Sequence, residues 1–455
     1  MNITSIVNEQ KSYFYKGHTR DIETRKQHLR KLYEGIGRFE ADIFQALKLD
    51  LNKSDHESFT TEIGYVLKEI SFLIKHLSSW SKPKRVRTAL THFGSKGKII
   101  PEPYGVTLIM APWNYPFQLA IAPLVGALAA GNTVVLKPSE LTPNVSSLLA
   151  SILRELFPAE LVAVVEGGVT ESTALLREPF DYIFFTGSVG VGKIVMEAAA
   201  KKLIPLTLEL GGKSPCIVHK DTKLDVAARR IVWGKFLNAG QTCVAPDYIY
   251  VHSSVKGEFI KALRTEIEHQ YGEKPLQNEN YVRVVSKRHF ERLLSFLQDG
   301  RTEIGGNYKE ETLHIEPTVL TNITWQDPIM EDEIFGPILP VMEYEGIEEV
   351  IETIQKQPKP LALYVFSENK ELQKKVTQNI SYGGGCMNDV VYHLATPYLP
   401  FGGVGSSGLG SYHGEQSFRT FSHYKSILSQ TTVFDMKIRY SSTKSALKFI
   451  RKLLK

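Results

Sequence analysis

Apolar positions in the first 80 residues recur at three- and four-residue steps. Between Glu23 and Leu51 they are Leu29, Leu32, Ile36, Phe39, Ile43 and Leu47, the period of an amphipathic helix. A second stretch from Thr60 to Trp80 repeats the pattern, and the basic segment KPKRVRT (82–88), with Pro83, marks a connection. After about residue 100 short β-rich runs take over: VTLIMA (106–111), NTVVLK (132–137), LVAVVEG (161–167), YIFFTG (182–187) and LTLELG (206–211). Helical patterns at 119–131 and 191–203 lie between them. Strands alternating with helices predict βαβ units, a parallel sheet and an α/β fold. A second α/β block is predicted from the strands at 214–219 and 247–252, the helical pattern at 224–237 and further alternation to about residue 390. The glycine-rich segment 396–414 predicts an ordered loop.

At roughly 150 residues per domain, 455 residues suggest about three domains. Hydrophobic residues at 42% and charged residues at 23% exclude a disordered, collagen-like or coiled-coil chain. A net charge of +5 is a mild excess and lacks the clustered basic face of a nucleic-acid binder. Three cysteines cannot build a disulfide framework, which suits a reducing compartment. The N-terminus has no basic region followed by an apolar one, so no secretory signal is expected. The expectation is a cytoplasmic enzyme.

Among the cysteines, Cys216 lies in the apolar run Pro-Cys-Ile-Val and is expected to be a buried hydrophobe. Cys386, after three glycines, is ambiguous. Cys243 follows a Gly-Gln-Thr turn, where a ligand can approach it, although a core thiol remains the plainer reading. Glu209 ends an otherwise apolar strand, where burial would raise its pKa and suit a general base; backbone donors of the following Gly-Gly turn are the alternative. Asn114, after the first β-run, can donate to an oxyanion or simply form a turn. Lys137 and Glu140 suit phosphates and ribose hydroxyls, or start a capped helix. Gly187 and Ser188 stand between a strand and a helix, the context of a phosphate turn, without matching G-x-G-x-x-G. Glu333 and Phe335 lie in a loop that is uninformative alone. No HExxH motif or paired CxxC occurs, so no catalytic metal is expected.

Together PWNYP (112–116), KPSE (137–140), FTGS (185–188), LELGGKSP (208–215), FLNAGQTC (236–243), EDEIFGP (331–337) and PFGGVGSSGLGSYHG (400–414) resemble the aldehyde dehydrogenase superfamily. The resemblance covers nearly the whole chain and looks like the class 3 branch, which includes fatty and aromatic aldehyde enzymes. It implies a Rossmann-like NAD(P)-binding domain (1–82 and 101–208), an α/β catalytic domain (209–395) and a small β oligomerisation arm (83–100 and 415–430). A glycine-rich active-site loop (396–414) and a basic amphipathic tail (431–455) complete the division. It implies Cys243 as nucleophile, Glu209 as general base and Asn114 as oxyanion donor. Lys137, Glu140, Gly187, Ser188, Glu333 and Phe335 would bind the cofactor, with Tyr115 and Phe401 in the substrate pocket. The family's serine–threonine pair after Gly187 is Ser188-Val189 here, a departure at the phosphate turn.

The implied activity is oxidation of an aldehyde to its acid with NAD, NADP being tolerated, in a homodimer. Two alternatives are a CoA-acylating relative, disfavoured by an acid at Glu209, and a protein that kept the fold without the activity. The tail 441–455 aligns Leu447, Ile450 and Leu454 on one face with five cations around them. It is expected to dock on a partner subunit or stay solvated, with peripheral contact to an anionic membrane as the alternative.

Overall fold

A computed structural model describes residues 2–454. Its strands form two open, mostly parallel sheets, one small three-stranded antiparallel sheet and an antiparallel pair, Tyr308–Lys309 with His314–Ile315. The first sheet runs in the order Gly408–Leu409, Leu206–Glu209, Tyr182–Thr186, Val106–Met110, Thr133–Lys137, Val162–Val164. Only Gly408–Leu409 is antiparallel to its neighbour. The β-runs of the sequence are buried in these strands. That is why they are continuously apolar instead of alternating: helices cover both faces of a parallel sheet. One such helix, Gln118–Ala130, is buried at all 13 positions and is apolar all round.

The second sheet runs Arg301–Ile304, Thr318–Thr321, Ile338–Tyr344, Tyr248–His252, Pro215–Val218, Ala362–Phe366, Gly384–Met387, parallel apart from its first strand. The third pairs Lys84–Val86 and Ser422–Gln430 with Ser95–Pro103.

Several boundaries differ from the sequence expectation. The segment expected to end at 100 contains a strand that runs on to Pro103, every residue from Ser95 onward pairing with Ser422–Gln430. Residues 415–420, expected with the arm, form a helix, Glu415–Thr420, packed on Gly64–Trp80 and Gln118–Ala130 and separate from the small antiparallel sheet. The 396–414 segment is not all loop, since Gly408–Leu409 extends the first sheet. The apolar stripe from Leu29 to Leu47 is carried by two helices, Ile22–Arg38 and Glu40–Leu51, broken at Phe39.

Candidate active site

Strand register gathers half of the site. Met110 pairs with Lys137 and with Phe185, and Thr186 pairs with Glu209. Asn114, Lys137–Glu140, Gly187–Ser188 and Glu209 therefore leave one sheet at the same carboxyl edge. The strand order reverses there, and that is where open α/β sheets hold ligands.

Glu209 is 3% exposed and neither carboxylate oxygen has a hydrogen-bond partner. The backbone donors of the following glycines are not used on it, so burial alone pushes its pKa well above the ordinary range. Asp50, a buried acid with a structural task, looks different: it accepts from the backbone N–H groups of Asn144 and Val145 at 3.3 and 2.8 Å. Asn114 is also buried, and its side-chain amide donates to the Gln241 carbonyl at 3.1 Å. One of its two N–H groups is thus left for another acceptor.

The second sheet supplies the other half from the amino ends of its strands. Cys243 lies between the helix Leu224–Phe236 and the strand Tyr248–His252. Asn238, Ala239 and Gly240 precede it with φ of 53°, 52° and 73°, a left-handed run costing roughly 1–2 kcal/mol per non-glycine residue. Hydrogen bonds hold the run in place. The Asn238 amide donates to the Asn114 carbonyl at 2.7 Å, the Gln241 amide donates to the Asn238 and Arg283 carbonyls, and the Gln241 oxygen accepts from the Val285 N–H.

Two glycines then let the loops meet. A Cβ on Gly240 would lie 2.1 Å from the Gly336 carbonyl oxygen, and one on Gly211 would lie 2.0 Å from the Glu333 carboxylate. The turns after Glu209, before Cys243 and around Glu333 are therefore in direct contact.

Cys243 opens onto a cavity of about 390 Å³ that Tyr115, Thr242, Phe401, Tyr412 and His413 also line. The Tyr115 hydroxyl bonds Thr242 Oγ1 at 2.6 Å. Burial raises the Cys243 thiol pKa, and the charges of Glu333 and Glu209 raise it further, against the N–H groups of Cys243 and Val244. The other thiols are placed differently. Cys216 is fully buried in its strand, and Cys386 sits 3.7 Å from His393 Nδ1.

Burial, then the neighbouring Asp247, push Glu333 up to about 8, against the Gly212 N–H and the cations Lys213 and Lys235. Phe335 has φ of 50° and stands edge-on to Trp113 at 5.3 Å. Lys137 pairs with Glu140 at 2.8 Å; partial burial works against the carboxylate, but the Lys137 hydrogen bond holds its pKa below the ordinary range. The Gly187 N–H donates to the Glu209 carbonyl at 3.0 Å, and Ser188 caps the helix Val189–Ala200.

Sequence reasoning missed Lys235. Its ammonium is fully buried with no hydrogen-bond partner, and burial lowers its pKa to about 8 against the pull of Asp247 and Glu333. A signal existed, because Lys235 continues the buried spacing Ala228, Ile231, Val232 on its helix. The buried Thr186 hydroxyl, also unpartnered, had no such signal.

The fold thus puts a cavity-facing thiol close to a buried amide donor and an unpaired acid at the carboxyl edge of a parallel sheet. The model of the aldehyde dehydrogenase family matches residues 1–427, and the chain belongs to that family. It is 48% identical to the 4,4'-diaponeurosporen-aldehyde dehydrogenase of Staphylococcus aureus over 449 residues, 98% of each chain. It is 46% identical to the dimeric NADP-preferring aldehyde dehydrogenase of Mus musculus over 427 residues, 94% of each. The substrate-bound structure of Staphylococcus aureus AldH superposes with a TM-score of 0.98 at 47% identity, covering 100% of both chains. The chain is thus an oxidoreductase acting on aldehydes.

Proposed function

We propose that the chain oxidises an aldehyde to the carboxylic acid with NAD(P)+ and water, through covalent catalysis at Cys243. The observation that carries the reading is convergence: Cys243 on the cavity, the spare N–H of Asn114, and the unpaired carboxylate of Glu209.

Cys243 gives its thiol proton to solvent water, and the Sγ thiolate so formed attacks the carbonyl carbon as the C=O π pair moves onto oxygen. The resulting oxyanion accepts hydrogen bonds from the Asn114 amide and the Cys243 N–H, worth about 3–4 kcal/mol per donor. A nicotinamide, when bound, would supply the acceptor for the hydride whose loss takes the Cys243 thiohemiacetal to a thioester. Glu209 takes a proton from water, the water oxygen attacks the thioester carbon, and the carboxylic acid departs as the sulfur is freed. A buried acid with no other partner supports this hydrolysis over interception by CoA.

The chain's residues fit a dinucleotide. Thr186 and Lys235 keep buried polar atoms without protein partners, and Lys137 and Glu140 stand together at the sheet edge. Lys137 and Glu140 would hold the adenosine ribose, Gly187 and Ser188 the pyrophosphate, and Glu333 with Phe335 the nicotinamide ribose and ring. Glu140 supports NAD with NADP tolerated. A Bacillus cereus relative has been solved with NAD+, at a TM-score of 0.86 and 27% identity over 95% of this chain and 89% of that one.

Exposed Leu90, Phe93, Leu428 and Val433 around the small antiparallel sheet support a homodimer joined through the arm. In the helix Lys444–Leu453, Leu447 and Phe449 are half-exposed among cations, which supports docking on a partner subunit, or else on an anionic lipid surface. Three free cysteines support a cytoplasmic location. Among the described residues no helix is long and apolar enough to cross a membrane.

The test is Cys243→Ala, with NADH formation followed by absorbance. Turnover is expected to fall at least ~10⁴-fold; aldehyde oxidation at the parent rate would overturn the reading.

A further inference from the structure

Beneath the assigned residues lies a charge cluster that the mechanism does not use. Lys53 and Glu62 are both fully buried and paired with each other. The Lys53 ammonium also donates to the Asn114 carbonyl at 3.1 Å and stands 4.1 Å from the Tyr115 ring centroid. The second Glu62 oxygen accepts from the Phe117 and Gln118 N–H groups at 2.9 and 3.1 Å. The bonds to backbone all fall between Asn114 and Gln118, on the turn that carries Asn114 and the start of the helix after it. Glu57, which also lines the cavity, reaches the other turn, accepting from the Asn238 N–H at 2.8 Å; burial raises its pKa, against the Lys53 charge and that N–H.

The backbone is distorted to deliver these groups. Phe59–Ile63 forms a π-type turn in which the Gly64 N–H donates to the Phe59 carbonyl. Such turns are rare and are found most often at functional sites. A buried ion pair is a poor source of stability, since apolar residues of similar volume do as well or better. Stability therefore gives little reason for the cluster. Its bonds instead tie together the Asn114 turn and the Asn238 turn, the two sides of the oxyanion position.

We propose that Lys53, Glu57 and Glu62 are positioning residues: they clamp the Asn114 turn to the Cys243 turn at the separation the oxyanion requires. The N-terminal helical segment, which belongs to neither sheet, sets that separation. The inference rests on the assignment of Cys243 and Asn114 made above.

Alkylation and acylation of the same sulfur separate the clamp from a general defect. Iodoacetamide needs the thiolate but no oxyanion donor, whereas 4-nitrophenyl acetate needs both. In the full-length protein, Glu57→Ala and Lys53→Met should acylate ~10–100-fold more slowly, with a parallel fall in kcat and alkylation within about twofold of the parent. Glu57→Gln keeps an acceptor for the Asn238 N–H and should recover most of the loss. Acylation within twofold of the parent in Glu57→Ala, or alkylation falling as far as acylation, would overturn the proposal. If Lys53→Met does not fold, the Glu57 pair decides alone. A parent enzyme that turns over after alkylation would instead defeat the Cys243 assignment.

Discussion

The two sheets contribute to the site in opposite ways. The first offers the carboxyl ends of its strands, where register alone sets Lys137, Gly187 and Glu209 along one edge. The second offers loops at the amino ends of its strands, where Cys243 and Glu333 depend on a left-handed run and on two glycines that admit close backbone contact. The first half is a by-product of a regular sheet. The second is made by local strain and long-range contact, so small backbone changes should harm it far more.

Beyond loss of the sulfur itself, the largest expected effect lies in the regular half and is chemical. Glu209→Gln should lower kcat by about 10³-fold while the first turnover of NADH persists as a burst, because only thioester hydrolysis needs the base. Rapid-mixing absorbance checks it, and loss of the burst would place Glu209 earlier in the reaction.

The strained half should fail by geometry. Gly240→Ala forces a Cβ to within 2.1 Å of the Gly336 carbonyl, and a kcat loss of roughly 10²-fold is expected from the displaced turn. An unchanged kcat would erase the distinction between the halves. At the regular edge, Glu140→Gln removes a charge that faces a ribose, and the NADP to NAD ratio of kcat/KM should rise about threefold to tenfold.

The smallest effect is electrostatic. Glu333→Gln removes a negative charge that raises the Cys243 pKa, so the alkylation profile should shift to lower pH. Glu333 ionises only at about 8, so parent and variant should diverge above that pH and coincide below it. A uniform offset across the profile would show that Glu333 acts through structure instead.

The same contrast explains what the sequence disclosed. Apolar runs alternating with helical periods made the parallel strands legible, and Glu209 stood out as an acid closing one of them. The three-stranded antiparallel sheet did not disclose its limits, because SKGKIIPEP is half-exposed and its length is set by pairing with the distant Ser422–Gln430. The left-handed run at Asn238–Gly240 and the π-type turn at Phe59–Ile63 were equally hidden. Each is imposed by partners distant in sequence, as when Glu62 bonds Phe117 and Gln118. Lys235 was legible in principle, as a cation on an otherwise apolar helical spacing.

The short strand Gly408–Leu409 has a consequence for biosynthesis. Gly408 pairs with Glu209, and the Leu210 N–H donates to the Ser407 carbonyl. The flank of the carboxylate is therefore closed by residues the ribosome adds long after Glu209 itself. A nascent chain that already holds the sulfur and the acid still lacks this wall until Gly408 has been added.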